Sequence, residues 1–258
     1  MQQITLLYHD VIENSRYLSS GFSNPKAWRY KLEASDFVRH MNAVAAVLEN
    51  PPITVYDLQK PHNTAPVMIG FDDGGLSGIT IIASEFNRRR WPAHFFIPTD
   101  FIGQPGFLNE SQLRELDEAG HVIGSHSCSH PNPMNTCSEQ DLLNEWTGSV
   151  TRLSDILGHP VDVASIPGGA YGKNVAQTAY RAGIRQLFTS EPVQQTWQVE
   201  GCRILGRFGI EREDSPAKAA AIASGKPLIR IREYTAWNIK RLIKQIASPL
   251  LRLLPKQP

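Results

Sequence analysis

Two pairs of residues in the sequence have the types and spacing to do chemistry. Asp72 and Asp73 directly follow a short apolar run. His126 and His130 stand four positions apart in a serine-rich segment. Adjacent carboxylates at a strand end repel each other unless a cation compensates them, and a divalent metal lets one ligate while the other stays free as a base. One carboxylate and two imidazoles are a usual ligand set for a catalytic Zn²⁺ with an open position for water.

Each pair by itself also has an ordinary explanation. Asp and Gly are common in turns for local reasons, so the run Asp72–Gly75 is also what a plain turn contains. On a helical turn His126 and His130 could face one metal, but they could equally be polar loop residues. Cys128 stands two positions from each histidine and would point elsewhere on a helical turn, so we do not expect it to bind a metal.

The elements that must position these residues alternate between strands and helices. Short apolar runs predict strands, and longer segments with apolar residues at helical spacing predict helices. Strands are predicted at 4–8, 66–71, 93–97, 120–124, 161–166 and 186–189, and helices at about 35–48, 78–89, 111–119, 139–157 (capped by Ser138) and 174–182. A long loop is predicted over 12–33. The alternation favours parallel βαβ units in an open sheet or barrel, whose sites form at the C-terminal ends of the strands.

Length and composition limit the fold and the partners. A chain of 258 residues, 41% of them hydrophobic, can bury a core without disulfides, and one α/β barrel can use its whole length. A net charge of +1 gives no basic field for nucleic acid.

No Gly-x-Gly-x-x-Gly opens a helix after a strand, so a Rossmann nucleotide enzyme is not expected. Three cysteines cannot all pair, and no export signal or membrane span is visible, so we expect a cytoplasmic protein.

Three motifs resemble those of the polysaccharide deacetylase family, also called the NodB-homology or carbohydrate esterase 4 group. They are Phe71-Asp-Asp-Gly74, Gly124-Ser-His-Ser-Cys-Ser-His-Pro131 and Ile166-Pro-Gly-Gly-Ala-Tyr171, and the resemblance is continuous over about 66–190. It implies an α/β fold, a distorted (β/α) barrel of about seven strands. It also implies metal-dependent removal of N-acetyl groups from an acetylated carbohydrate, either a polysaccharide or a lipid-linked sugar.

The resemblance also implies roles for individual residues. One divalent metal, with Zn²⁺ the expected ion, is held by Asp73, His126 and His130. Asp72 is the general base that activates water. The backbone N–H of Gly168 helps to hold the oxyanion, and Tyr171 lines the sugar site.

Two departures from the family pattern concern the residues around the base and the acid. The third motif usually has an Arg two residues before its Pro, where this chain has Ser165. Arg207 is the candidate to replace that arginine beside Asp72. We group Arg207 with the substrate and oxyanion residues. The last motif usually supplies a general-acid His, and the comparable segment 204–210 has none. A subgroup resembling poly-N-acetylglucosamine deacetylases carries that His in an N-terminal Tyr-His strand, so His9 is the expected acid. The alternative is a His that only hydrogen-bonds within the barrel mouth.

Two other functions remain open from the sequence. An O-acetyl or other amide deacetylase of the same family would use the same metal and base. A catalytically degenerate member would bind glycan without turnover, which the altered third motif and the missing last motif favour. The intact set of two carboxylates and two histidines argues against pure binding, because a binder has no need of a base beside a metal.

The C-terminal segment differs in charge from the rest. Residues 230–258 contain seven Lys or Arg and one acid, so we divide the chain into a barrel at 1–229 and a basic amphipathic tail at 230–258. The apolar residues of the tail lie roughly on one helical face, interrupted at Pro249, with three basic residues opposite: Lys240, Arg241 and Lys244. Such a helix could pack on the barrel, bind a partner protein, or make peripheral contact with the inner face of a membrane.

Overall fold

A curled sheet is the framework of the fold. The computed structural model describes the backbone of residues 1–252 and the side chains of residues 1–239. In chain order the strands are β1 (Ile4–Tyr8), β2 (Val11–Ile12), β3 (Leu32–Glu33), β4 (Val67–Phe71), β5 (His94–Ile97), β6 (Val122–Ser125), β7 (Val163–Ser165), β8 (Gln186–Phe188), β9 (Trp197–Val199), β10 (Cys202–Leu205) and β11 (Phe208–Gly209). Within the described backbone, nine of them form one sheet in the order β11-β1-β4-β5-β6-β7-β8-β10-β9. Its pairs are parallel except β9 with β10.

Helices alternate with these strands. They are α1 (Ala34–Ala45), α2 (Ala83–Arg89), α3 (Glu110–Glu118), α4 (Glu139–Leu157), α5 (Lys173–Arg181), α6 (Pro216–Ala223) and α7 (Pro227–Arg252). One π-helical turn, Gly78–Ile82, leads into α2. Ser138 caps α4 as predicted, because its hydroxyl accepts the N–H of Asp141. The sheet with its helices makes a curled half-barrel, which confirms the predicted barrel-like α/β class.

The six predicted strands are all present, but the elements after residue 190 were not predicted. β9, β10, β11 and α6 follow the last predicted strand. The three strands are two to four residues long, and Gln198, Arg203 and Gly209 interrupt their apolar residues, so no strand pattern emerges from the sequence. β11 pairs with β1, so the late part of the chain lies beside its beginning.

The aromatic core fixes the end of β4. β1 and β4 are buried along their whole lengths, as expected for parallel strands covered on both faces. The ring of Phe71, the last residue of β4, lies 5.4 to 5.9 Å from four other buried rings, those of Tyr8, Phe37, Phe86 and Phe95. The backbone that leads into Asp72 is therefore held on several sides.

The two ends of the predicted loop over 12–33 are joined by a pair of short strands. β2 and β3 pair in parallel, with Val11 opposite Leu32. Inside the loop the Ser20 hydroxyl donates to the buried Asp10 carboxylate at 2.6 Å, and the Lys31 ammonium donates to the Tyr17 carbonyl at 2.7 Å. These bonds hold the loop against the end of β1, next to the residues that could do chemistry.

The last helix begins earlier than predicted. α7 starts at Pro227, three residues before the predicted tail boundary, and its backbone continues through Pro249. The side chains that make up most of the predicted tail pattern, from Lys240 onward, lie outside the described residues, as does the chain after residue 252. Among the helices of the described part, none combines the length and apolar character needed to cross a membrane.

Candidate active site

The candidate residues gather where neighbouring strands end. Asp72 and Asp73 follow β4, His126 follows β6, and Ser165 is the last residue of β7. The pairing of Tyr8 with Phe71 brings the end of β1 beside the end of β4, and the Asp72 N–H donates to the Tyr8 carbonyl at 3.1 Å. The strand ends thus bring together residues that are far apart in the sequence.

Three of these side chains surround one point. The Nε2 atoms of His126 and His130 lie 3.5 and 3.4 Å from the same Oδ1 of Asp73, and one ligand atom from each residue falls within 4.8 Å of the others. Tetrahedral ligands about 2.1 Å from a zinc ion stand about 3.4 Å from one another. The separations and the two-nitrogen, one-oxygen donor set therefore fit a single divalent metal.

The histidine pair lies in a loop, not on a helical turn as the spacing suggested. Residues 126–130 are irregular, and both Ser127 and His130 have left-handed backbone angles, with φ of 64° and 60°. The Ser127 hydroxyl accepts the N–H of His130 at 3.0 Å, and the Glu145 carboxylate accepts the N–H of Cys128 at 2.8 Å. The Cys128 thiol turns to the Glu145 carbonyl at 3.3 Å, away from the candidate ligands. The loop geometry, rather than helical spacing, brings the two imidazoles together.

Ser165 orients both His126 and Asp72. The Nδ1 atom of His126 lies 3.0 Å from the Ser165 carbonyl oxygen and 2.6 Å from its hydroxyl, which leaves Nε2 to face Asp73. The same hydroxyl donates to Oδ1 of Asp72 at 3.1 Å. Ser165, which stands where the family usually has an arginine, therefore contacts Asp72.

Arg207 provides the guanidinium that the third motif lacks. Its two terminal nitrogens donate to the two oxygens of Asp72 at 2.7 and 2.8 Å, and its Nε donates to the Thr189 carbonyl at 2.9 Å. Burial disfavours the Asp72 carboxylate, but the charges of Arg207 and His126 hold its pKa below the ordinary value. Because Arg207 is fully buried, it does not belong with the substrate-contacting residues where we grouped it. It acts on Asp72 instead.

Asp73 and His130 stabilise each other's charged forms. Burial disfavours the Asp73 carboxylate, yet hydrogen bonding to His126 and His130 keeps its pKa well below the ordinary value. Burial likewise disfavours the His130 imidazolium, but hydrogen bonding to Asp73 keeps its pKa raised. The site holds concentrated negative charge that a metal cation would neutralise in place of protons.

His9 lies at the same edge as Asp72. The two residues line one narrow pocket, and the charge of His9 favours ionisation of both Asp72 and Asp73. Its ring stacks on Tyr30 of the 13–31 loop, with centroids 4.6 Å apart. Its Nδ1 is buried and has no hydrogen-bond partner among the described residues. The alternative, a His that only hydrogen-bonds within the barrel mouth, therefore gains no support from this atom.

The third motif, residues 166–171, lies beside the segment that follows His126 and His130. Gly168 has φ of 59°, a left-handed backbone angle that favours glycine, and a Cβ there would fall within 2.4 to 2.6 Å of the Asn132 side chain. The ring of Tyr171 meets Trp197 edge-on at 5.7 Å, and the indole N–H donates to the Tyr171 hydroxyl at 3.4 Å. Both rings are half-buried, so Tyr171 and Trp197 together form a partly exposed aromatic surface.

Four residues of the site escaped the sequence analysis. Tyr30 and Phe22 reach it from a loop without a motif, and Phe22 packs on His130 at 4.9 Å. Glu145 and Trp197 come from α4 and β9. The aromatic composition of the 12–33 loop was the one available signal, because long loops with aromatic residues often serve function.

Comparison with known proteins identifies the family. Residues 59–187, half of the chain, match the family model described as Polysaccharide deacetylase. The chain belongs to this family. It is 30% identical over 127 residues to the peptidoglycan-N-acetylglucosamine deacetylase PgdA of Listeria monocytogenes, a match that covers 48% of this chain and 26% of that enzyme. The chain thus spans about a quarter of the length of that relative.

Solved structures show the same fold. The deacetylase PplD of Streptococcus pyogenes, in complex with acetate, superposes with a TM-score of 0.70 at 17% identity, covering 88% of this chain and 99% of that one. IcaB from Ammonifex degensii gives a TM-score of 0.70 at 19% identity, covering 86% and 97%. At these identities the likeness concerns the fold alone.

Proposed function

We propose that this protein is a metal-dependent deacetylase that hydrolyses N-acetyl groups on a glycan. The observation that carries the proposal is the arrangement of two carboxylates. Asp73 converges with His126 and His130, while Asp72 lies beside them, its Oδ2 3.8 Å from Nε2 of His126, and is held by other partners. One carboxylate is thus free to ligate and the other to act as a base.

The chain's own residues divide the proton work. A bound divalent metal would supply Lewis acidity and lower the pKa of a water molecule. Asp72, kept ionised and oriented by Arg207 and Ser165, would accept the proton of the attacking water. His9 would donate a proton to the departing amine nitrogen from the neighbouring strand end. The N–H of Gly168 would donate to the oxygen that becomes negative.

The pairing of Asp72 with Arg207 supports catalysis over glycan binding alone. A buried carboxylate with no role would be costly, and holding it ionised requires a fully buried arginine as well. A protein that only bound glycan through the metal would gain nothing from this pair. The chain has retained the function of the family's arginine even though the residue comes from a different part of the sequence.

The relative and the aromatic surface both support an N-acetylated glycan as the substrate. The Listeria enzyme is named for peptidoglycan N-acetylglucosamine, so N-acetylglucosamine oligomers are the first substrates to test. Tyr171 and Trp197 offer half-buried rings near the third motif on which a sugar could stack.

The test combines metal analysis with acetate release. The purified chain, loaded with Zn²⁺, is assayed on N-acetylglucosamine oligomers, on an O-acetylated xylan and on a small acetamide. We expect about one metal per chain and acetate from the oligomers. Release from the O-acetylated polymer alone would assign an esterase, and oligomer binding without release would assign a glycan-binding protein. Asp155→Asn, at an exposed acid on α4, is the matched control for Asp72→Asn.

A further inference from the structure

One face of α7 exposes large apolar side chains to water. Leu228 is 84% exposed, Ile231 63% and Ile239 52%. Their spacing, with Thr235 between them, places them along one side of the helix. Three large exposed aliphatic residues in one row form an apolar strip on the surface.

The opposite face of α7 is the one that meets the barrel. Ile229 packs against the core, and the Arg230 guanidinium donates to the Gln194 side chain at 2.5 Å. Glu233 pairs with Lys218 of α6 at 3.2 Å. The only acidic residue after position 229 is therefore neutralised on the inner face, and the outer face of 228–239 carries Arg232 and no acid.

The sequence beyond this face is also basic. Residues 240–258 contain five Lys or Arg and no Asp or Glu. An apolar strip followed in the sequence by an excess of basic residues is complementary to a surface that is both apolar and anionic. A second copy of the chain would bring the same positive charge to the contact, and the two would repel.

We propose that α7 docks its exposed face on a bilayer that contains anionic phospholipid. Leu228, Ile231 and Ile239 enter the boundary between headgroups and acyl chains, and the basic residues meet the lipid phosphates. The barrel is held at the bilayer through the packed inner face of the same helix. The proposal concerns the location of the protein and does not depend on the reaction at the strand ends.

The experiment measures binding of the full chain to two kinds of vesicle. One is pure phosphatidylcholine and the other contains about 30 mol% phosphatidylglycerol. We expect co-sedimentation with the anionic vesicles only. Raising NaCl from about 0.05 to about 0.5 M should release most of the protein, because salt screens attraction between exposed charges.

Substitutions separate the apolar strip from charge alone. The double variant Leu228→Gln with Ile231→Gln, which leaves the charge unchanged, should bind anionic vesicles at least about tenfold more weakly, because each apolar side chain that leaves water contributes about tenfold or more. Val47→Gln, at an exposed apolar residue of the surface after α1, is the matched control and should bind normally. Both sites are exposed, so the folds should be retained.

Several results would overturn the proposal. One is no binding to anionic vesicles, and another is equal binding to both kinds. Normal binding by the double variant would show that the strip is not involved. A dimer of the full chain that the double variant abolishes, without vesicle binding, would assign the face to a second copy. Metal content and acetate release from soluble oligomers should be the same in every variant, so a failure here leaves the proposed function standing.

Discussion

The strand-end site and the exposed face of α7 differ in how far their side chains are buried and partnered. At the site, buried Asp72 is met by Arg207, Ser165 and the end of a neighbouring strand. On α7, Leu228 and Ile231 are exposed to water, and no side chain of residues 1–239 covers them. The polar side chains of the first region are partnered within the chain, whereas the apolar side chains of the second would leave water only on contact with something outside it.

This difference follows from the free energy of burying a charge and of exposing an apolar side chain. A buried charge is tolerated only with a well-placed partner, so the site's polar residues constrain one another and the strands that carry them. An exposed leucine costs little in a folded chain but gains on leaving water. Changes at the site should therefore be severe and coupled, whereas changes on α7 should be mild for catalysis and act on location.

The largest effect is expected from removing a metal ligand. His130→Ala should lower bound Zn²⁺ from about one per chain to near zero and acetate release by at least about 10³-fold, since two ligands hold a catalytic metal poorly. Metal analysis of the purified variant gives the readout. His159→Ala, at an exposed histidine paired with Asp117, is the control and should retain both properties. Stoichiometric Zn²⁺ in the His130 variant would refute the ligand assignment.

Loss of the base should be nearly as severe but should spare the metal. Asp72→Asn should reduce turnover by about 10²–10⁴-fold, because the neighbouring carboxylate, Asp73, would be occupied by the metal and could not take the proton of the water. Bound Zn²⁺ should stay near the wild-type level. If metal were lost together with activity, Asp72 would be acting as a ligand.

The role of His9 can be isolated by changing the leaving group. His9→Ala should slow deacetylation of N-acetylglucosamine oligomers by about 10²–10⁴-fold, because an amine leaves poorly without a proton. Hydrolysis of 4-nitrophenyl acetate should fall much less, since nitrophenolate leaves unprotonated. An equal loss on both substrates would argue that His9 only maintains the pocket. Near-normal release from the oligomers would exclude it as the acid.

The buried ion pair should appear in stability measurements. Arg207→Met should lower the free energy of unfolding at pH 7 by about 3–5 kcal/mol, because it leaves the Asp72 charge buried without its partner. The pKa of Asp72 is depressed in the folded chain, so the pair stabilises fully above the ordinary carboxyl pKa of about 3.9, and its contribution is lost as the pH falls below that. Urea titrations at pH 7 and pH 3 measure both effects. An Asp72→Asn, Arg207→Met double variant that is no more stable than Arg207→Met would contradict this explanation.

The smallest catalytic effect is expected at the end of the chain. A chain that stops after Ile239 retains the packed inner face of α7 and should release acetate from soluble oligomers within about twofold of the full chain. Its binding to anionic vesicles should weaken, by about fivefold for each basic residue that lay at the bilayer surface. A large loss of activity on soluble oligomers would show that residues 240–258 contribute to the barrel.

The sequence was most informative where a local pattern carries the structure. The runs 4–8 and 66–71 are apolar enough to predict buried strands, and both are confirmed. Ser138 predicts a helix start because capping is a local interaction. It was least informative after residue 190, where strands of two to four residues are defined by their neighbours in the sheet.

The candidate site divides in the same way. Its residue types and the motif spacing around Asp73 and His126 were sufficient to predict a metal site and a family. Which arginine serves Asp72 is decided by tertiary structure, because Arg207 is 135 positions away and reaches the carboxylate only when the sheet curls. The stacking of Tyr30 on His9 likewise depends on how the 13–31 loop packs against the end of β1. Local pattern determined what chemistry the chain carries, and packing between distant segments decided which side chains support it, since such contacts leave no periodic trace in the sequence.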